Sequence, residues 1–344
     1  MTDWLVYTGT GVPRGAIERL PAPPNWRRFE RDDEDPPSGE APEHQRQGSR
    51  QLGGHTAPLA GKYNVDHLEI VNAALYLRRP LLVTGKPGIG KSTLAQRVAR
   101  ELELGPMLRW SVTSRTVLRD GLYRYDALAR LHDLNVAKAQ GRNLPEDVGR
   151  YIRLGPLGTA LLPRDRPRVL LVDEIDKSDI DLPNDLLHAF EEGEFEIEEL
   201  IRSRADQSAD DPSETVHVRV HASDERAPII GGRVRCREFP FVVMTSNGER
   251  EFPKAFLRRC LRLNLTDPPD EQLAHIIDAH FGAGEGAKNQ DLIKLFLARK
   301  GGGDLAVDQL LNAVFITSEA ARHKYGDRER LATAMLKHLN GDPR

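Results

Sequence analysis

Residues Gly85 to Thr93 read GKPGIGKST, and the spacing Gly, four residues, Gly-Lys-Ser suits the cradling of a polyphosphate. Gly85, Gly88 and Gly90 let the backbone take positive φ and come close to phosphate oxygens, while successive N–H groups form an anion nest. In such a loop Lys91 reaches the β- and γ-phosphates, and the Ser92 hydroxyl can ligate a Mg2+ that bridges them. The nucleotide-binding stretch is thus Gly85, Lys86, Pro87, Gly88, Ile89, Gly90, Lys91, Ser92 and Thr93, with Thr93 read as structural. Two more polar groups stand at the ends of apolar runs. RVLLVDEID, Arg168 to Asp176, ends its run in Asp173 and Glu174, and PFVVMTSN, Pro240 to Asn247, ends in an amide. Asp173 would hold Mg2+, Glu174 would orient or deprotonate an attacking water, and Asn247 would bond the γ-phosphate or that water without adding charge. Alone, Asn247 would read as a loop cap and the two acids as a solvated turn. Together with the glycine-rich loop they read as chemistry. No NKxD guanine-reading motif occurs, so ATP is the expected nucleotide.

These groups need elements to hold them. Leu81 to Thr84 is a short buried strand entering the loop, and the helix after it places Leu94, Val98 and Leu102 on one face. The loop therefore sits at a helix N-terminus, where free N–H groups and the helix dipole favour anions. Asn64 to Arg79 reads as an amphipathic helix, Met107 to Thr113 as a strand, and Ser114 to Gln140 as helical around YRYDALARLHDL. Gly149 to Pro163 returns the chain to the sheet, and Leu182 to Glu192 is a helix ended by Gly193. Residues 195–238 alternate and interrupt themselves, the pattern of a hairpin-like insertion. It carries Arg219, Arg226, Arg233, Arg235 and Arg237, and reads either as a pore or substrate-contacting loop or as a solvated ribbon. FPKAFLRRC, Phe252 to Cys260, is a helix with Arg258 and Arg259 at its end. If subunits form a ring, an arginine there could enter the neighbour's site and neutralise transition-state charge. From Pro268 the pattern is helices only, over 270–281, 290–300, 304–324 and 328–339.

Three parts follow: a largely disordered Pro- and charge-rich segment over 1–61, an α/β nucleotide-binding domain over 62–267, and a small helical lid over 268–344. The 344 residues exceed what one core usually serves. Within 1–61, Trp4, Leu5, Val6, Tyr7, Trp26 and Phe29 are the apolar anchors, and they serve either a tether docking on the domain or a partner, or a tail without contacts. The net charge of -3 gives no general reason for unspecific nucleic-acid binding. Cys236 and Cys260 are the only cysteines, so neither a disulfide framework nor a zinc site is supported. No apolar run approaches the ~18 residues of a membrane span. No secretion signal is evident, and a cytoplasmic protein is expected.

The order of GKPGIGKST, DEID, a strand ending in Asn247, an FP-helix with Arg258-Arg259 and an all-helical tail resembles AAA+ ATPases. With Gly155-Pro156-Leu157 before the DEID strand, it is most similar to the MoxR branch. The resemblance implies an α/β fold with a parallel sheet flanked by helices and a helical lid. It also implies ATP hydrolysis with Mg2+ and a homo-oligomeric ring, commonly a hexamer, that remodels a protein client. By resemblance, Lys91 and Ser92 take the Walker A positions, Asp173 and Glu174 the Walker B pair and Asn247 sensor 1. Arg259 best matches the arginine finger, with Arg258 standing where the family usually has an acid. GGGDLAVDQLL offers no sensor-2 arginine at its family position, and neither Arg299 nor Arg322 is assigned to it. Such ATPases often act with a partner carrying a von Willebrand factor A domain. Other readings of the same residues are a nucleic-acid-dependent NTPase or a nucleotide switch.

Overall fold

Runs such as LLVT and VLLVD have no polar face, so they are stable only in a sheet covered on both sides. The computed structural model builds that sheet. It describes residues 4–29, 64–142, 147–206, 215–266, 270–300, 305–322 and 328–336. Eleven strands are present among them: β1 Leu81–Thr84, β2 Leu108–Ser111, β3 Tyr123–Tyr125, β4 Ile152–Leu154, β5 Val169–Asp173, β6 Glu194–Glu196, β7 Thr215–Arg219, β8 Arg226–Ile230, β9 Arg233–Arg235, β10 Phe241–Ser246 and β11 Leu261–Asn264. The order β11-β1-β10-β5-β2 forms a wholly parallel sheet. β10 lies between β1 and β5, so the carboxyl ends that carry the glycine-rich loop, Asn247 and Asp173 are neighbours. In a parallel sheet that edge is where ligands bind.

Alternate residues of the strands feed two cores. Leu82, Leu170, Val172, Val242 and Met244 point to one face with Leu157, Leu186 and Phe190. Leu81, Val83, Leu171 and Val243 point to the other, against Leu94 and Val98 of the helix Lys91–Glu101 and Val71 and Leu75 of the helix Val65–Leu77. Asn64 caps that latter helix by accepting from Asp66 N–H.

The second sheet, β3-β4-β7-β8-β9-β6, is the expected insertion, but larger and more regular than a hairpin. Glu198–Asp206 within it is helical and puts Leu200 into the core, where the alternation across 195–238 suggested strand. β3 and β4 join the same sheet, so the insertion is built from two separated stretches of chain.

The helical tail forms its own core of Leu273, Ile277, Leu292, Phe296, Leu310 and Val314. Its helices are Asp270–Phe281, Glu285–Lys288, Gln290–Lys300, Val307–Arg322 and Arg328–Met335. The short Glu285–Lys288 helix takes in the last three residues of GAGEGA, 282–287, a glycine-rich stretch that favours a chain break.

Residues 4–29 are packed on the domain, the docked alternative of the two readings of their apolar anchors; residues 30–61 lie outside the described residues. Val6 and Tyr7 donate their N–H groups to Asn72 Oδ1 at 2.7 and 2.9 Å, and Asn72 Nδ2 donates back to the Tyr7 carbonyl at 2.7 Å. Thr8 N–H and Gly11 N–H donate to the two oxygens of Glu101, the last residue of the helix Lys91–Glu101. Tyr7 and Ile17 are buried with Leu75 in the same core. The sequence left docking open because the strap's partners, Asn72 and Glu101, are polar residues that look like solvated helix positions until something covers them.

Candidate nucleotide site

The loop after β1 takes the shape its glycines allow. Gly85 has φ +147, and a Cβ there would stand 2.5 Å from the Leu265 carbonyl oxygen, so no other residue fits. Gly88, at φ +78, faces the start of the helix Val307–Arg322: a Cβ would lie 2.9 Å from Ala306 Cβ and 3.0 Å from Asp308 Oδ1. The lid therefore touches the glycine-rich loop directly.

Lys91, buried at the helix start, donates from Nζ to the carbonyls of Gly85 and Lys86 and, at 2.8 Å, to Asn247 Oδ1. Burial pulls the ammonium below its ordinary value, and the charges of Asp176, Asp173 and Glu174 counter that only in part. Ser92 Oγ donates to Asp173 Oδ1 at 2.8 Å, and Thr245 Oγ1 donates to the same oxygen at 2.7 Å. Arg109 Nη2 holds the other oxygen at 2.6 Å. Burial alone would raise the Asp173 carboxyl; the bonds from Thr245, Ser92 and Arg109 and the charge of Arg109 outweigh it and leave the group below its ordinary value. Asp173 is thus ionised and aimed at Ser92. Two hard oxygen ligands side by side suit Mg2+, which takes only one or two protein ligands beside phosphates.

Glu174 follows in the left-handed region, at φ 62, a conformation costly for a residue with a Cβ. Its N–H is anchored on Thr245 Oγ1 at 2.9 Å, and its carboxylate pairs with Lys177 at 2.9 Å. Asn247 is fixed from below by the buried Asp176, whose Oδ2 accepts the Asn247 N–H at 2.8 Å.

The family model for the AAA domain, dynein-related subfamily, matches residues 80–260, just over half of the chain. The chain belongs to this AAA family. Membership makes it an AAA+ ATPase domain with nucleotide binding as its shared property. No curated protein matches the sequence. Among solved structures it is similar to a candidate ATPase from Cytophaga hutchinsonii, at 14% identity and TM-score 0.33 over 62% of this chain and 48% of that one. It is also similar to the FIGL-1 AAA domain solved with ADP, at 14% identity and TM-score 0.37 over 77% and 74%. The chain spans about half the length of the Cytophaga protein.

Elsewhere in this AAA domain the sequence-derived candidates are spread out. Arg258 and Arg259 end the short helix Lys254–Leu257, before β11. Arg259 is bonded to Glu191 of its own chain, whereas Arg258 is exposed. In the ribbon, Arg226, Arg233, Arg235 and Arg237 each pair with an acid: Asp147, Glu196, Glu194 and Asp165. Arg299 donates to the Thr333 and Leu336 carbonyls, so it ties the lid to itself. No cluster of three or more His, Cys, Asp or Glu capable of holding a metal occurs among the described residues. No helix among the described residues is long and apolar enough to cross a membrane. Both cysteines are free and buried, and burial pushes the Cys260 thiol up to about 12.

Three site residues had no assignment from sequence: Arg109, Thr245 as the bond to Asp173, and Asp176. Arg109 was in view only as one of two polar residues alternating with apolar ones in LRWS; Asp176 was in view as the last letter of DEID, with nothing in the string to say that it reaches Asn247.

Proposed function

We propose that this chain is a Mg2+-dependent ATPase of the MoxR type, working as a ring of identical subunits that remodels or matures a partner protein. The observation that carries the reading is the single bonded network joining Lys91 to Asn247 and Ser92 to Asp173 across β1, β10 and β5. Chance matches to separate motifs would not meet in one place.

In this reading the backbone N–H groups of 85–92 and the Lys91 ammonium bind the β- and γ-phosphates, Lys91 exchanging its loop carbonyls for phosphate oxygens. Ser92 and Asp173 would hold Mg2+, which supplies charge neutralisation to the phosphates when bound. The strained Glu174, released from Lys177, takes the proton of the attacking water, and Asn247 orients that water. The strand order delivers these groups already oriented, so most of the rate gain is positional. Arg258 or Arg259 of an adjacent subunit would neutralise transition-state charge; the Glu191 bond leaves Arg258 the freer of the two. The resemblance points to a hexamer, to a cytoplasmic setting and to a von Willebrand factor A domain protein as one kind of partner. The pairing of four ribbon arginines within the chain argues against a phosphate-gripping nucleic-acid motor.

The test combines two perturbations. Glu174→Gln should keep ATP binding and slow turnover by about 100-fold or more; unchanged turnover removes Glu174 from this role. Arg258→Ala and Arg259→Ala, each mixed into wild type in rising proportion with native mass recorded, should poison turnover cooperatively in a ring. Turnover independent of concentration and of both variants defeats the ring, and stimulation by DNA or RNA would replace the protein-client reading.

A further inference from the structure

Alternation decides which residues of the second sheet face outward. Ile152 and Leu154 of β4 are buried, as are Val218 of β7 and Val220 just after it, so Arg153 and Arg219 between them point away from the core. Arg124 stands outward between Tyr123 and Tyr125 of β3, and Arg226 opens β8 before the buried Ala227. The register lines these four exposed arginines up. Arg124 is opposite Arg153, Arg153 is opposite Arg219, and Arg219 is opposite Arg226. With strands about 4.7–4.9 Å apart, the side chains leave the sheet in one row roughly 14–15 Å long across β3, β4, β7 and β8.

Like charges directly opposite one another destabilise a sheet, and each step along this row repeats the conflict. Little within the chain relieves it. Asp120 lies 3.6 Å from Arg124 and Asp147 4.0 Å from Arg226, at the two ends, and exposed pairs of that length are weak. Among the described residues no acid forms an ion pair with Arg153 or Arg219. Asp224 and Glu225, in the turn joining β7 to β8, form none with the row; Glu225 acts on Arg164 and Arg168 instead. The field of the row reaches the half-buried His221: burial first, then the charges of Arg153 and Arg124, hold its imidazole below the ordinary value. Uncharged residues would serve the fold at these positions at less cost, so the row suits something that arrives from outside.

The matching ligand is a line of anions with a repeat near 5 Å. Carboxylates three and four residues apart on a helix repeat at about 5–6 Å, and each can accept from a planar guanidinium fork. A nucleic-acid strand would bring bases that call for aromatic platforms. The other outward positions on β7 and β8 are Thr215, His217, Pro228 and Ile230, while the tyrosines of β3 pack toward the core.

We propose that this arginine row docks an acidic helical segment of a partner protein, laid across β3, β4, β7 and β8. It gives the chain a surface that selects partners by charge. The surface needs no nucleotide, so it stands or falls apart from the ATPase reading.

The experiment titrates the full chain, without nucleotide, into a fluorescein-labelled alanine-rich helical peptide whose glutamates lie at i, i+4, i+7 and i+11, and follows anisotropy. The same peptide with glutamines is the control. Binding is expected for the glutamate peptide alone and should weaken as salt rises. Arg153→Gln combined with Arg219→Gln should weaken it about fivefold or more, whereas Arg14→Gln, at an exposed position of the strap, should leave it unchanged. Because the double variant removes like-charge contacts, its urea midpoint should hold or rise; a lower midpoint assigns the arginines to the fold and overturns the proposal. Equal binding of the two peptides, or an unchanged affinity in the double variant, overturns it as well. So does tighter binding of a labelled DNA strand through the same arginines. If the glutamate peptide binds only after Asp32, Asp33, Glu34 and Asp35 are changed to their amides, the chain's own acidic run occupies the row and the partner assignment fails.

Discussion

Thr245 is the residue whose replacement most sharply tests the site's construction. It is 1% exposed, donates to Asp173 at 2.7 Å and accepts the Glu174 N–H at 2.9 Å. Thr245→Val keeps the shape and deletes both bonds. Loss of a hydrogen bond to a carboxylate costs about 1.5–3 kcal/mol and an orphaned buried N–H about 1–3 kcal/mol. Ser92 and Arg109 still hold Asp173, which trims the sum, so about 2–4 kcal/mol of destabilisation is expected. The assay is urea denaturation followed by tryptophan fluorescence, with Trp110 buried on β2 beside β5. Thr245→Ser restores the hydroxyl and should recover most of the loss. The pH dependence gives a second reading. The folded Asp173 carboxyl lies below its ordinary 3.8, so its stabilisation is present above that pH and vanishes as pH falls through the lower folded value. The deficit of Thr245→Val should therefore shrink on acidification. A deficit under about 0.5 kcal/mol at neutral pH, or one that widens in acid, refutes the network as described.

Three further outcomes are expected. Arg109→Ala frees one Asp173 oxygen and removes a positive charge from beside that carboxylate; with Arg109 half exposed, divalent-dependent ADP binding should tighten about two- to fivefold if Asp173 holds Mg2+ as proposed, measured by fluorescent-nucleotide titration. Asn72→Ala removes three bonds to Val6 and Tyr7 and should cost about 2–4 kcal/mol, with limited proteolysis opening residues 4–29 before the rest. Gly88→Ala sets a Cβ 2.9 Å from Ala306 at a positive φ, so it should destabilise by about 1–2 kcal/mol and weaken nucleotide binding by pushing lid and loop apart.

The parallel sheet and the main groups at its carboxyl edge were legible because each apolar run ends in its polar group with no intervening chain, whereas the strand order came only from the structure. Asp173 and Asn247 could be placed from the letters alone. What the letters did not contain was the second member of each bond. Asn72 and Glu101 sit on helices as any solvated residue would, and only the strap over them makes them structural. Glu198–Asp206 misled for another reason: FEIEEL alternates as a strand does, and the helix wins because Leu200 and Ile201 lie over the rest of the insertion. Arg168 reads as a flanking residue of the DEID strand, and its burial depends on the β7–β8 turn arriving from about 50 positions later.

The stretch that the family shares, 80–260, is smaller than the piece that must hold together. Leu81, Val83 and Leu94 rest on Val71 and Leu75, which precede that stretch, and on Tyr7 and Ile17, which precede it by far more. Gly88 meets Ala306, which follows it. The helix Lys91–Glu101 is gripped at its start by the nucleotide groups and at its end by Thr8 and Gly11. It behaves as a rod clamped at both ends. The first residues hold the end of that rod opposite the glycine-rich loop, and a chain trimmed to the inherited core would lose that hold together with part of its foundation.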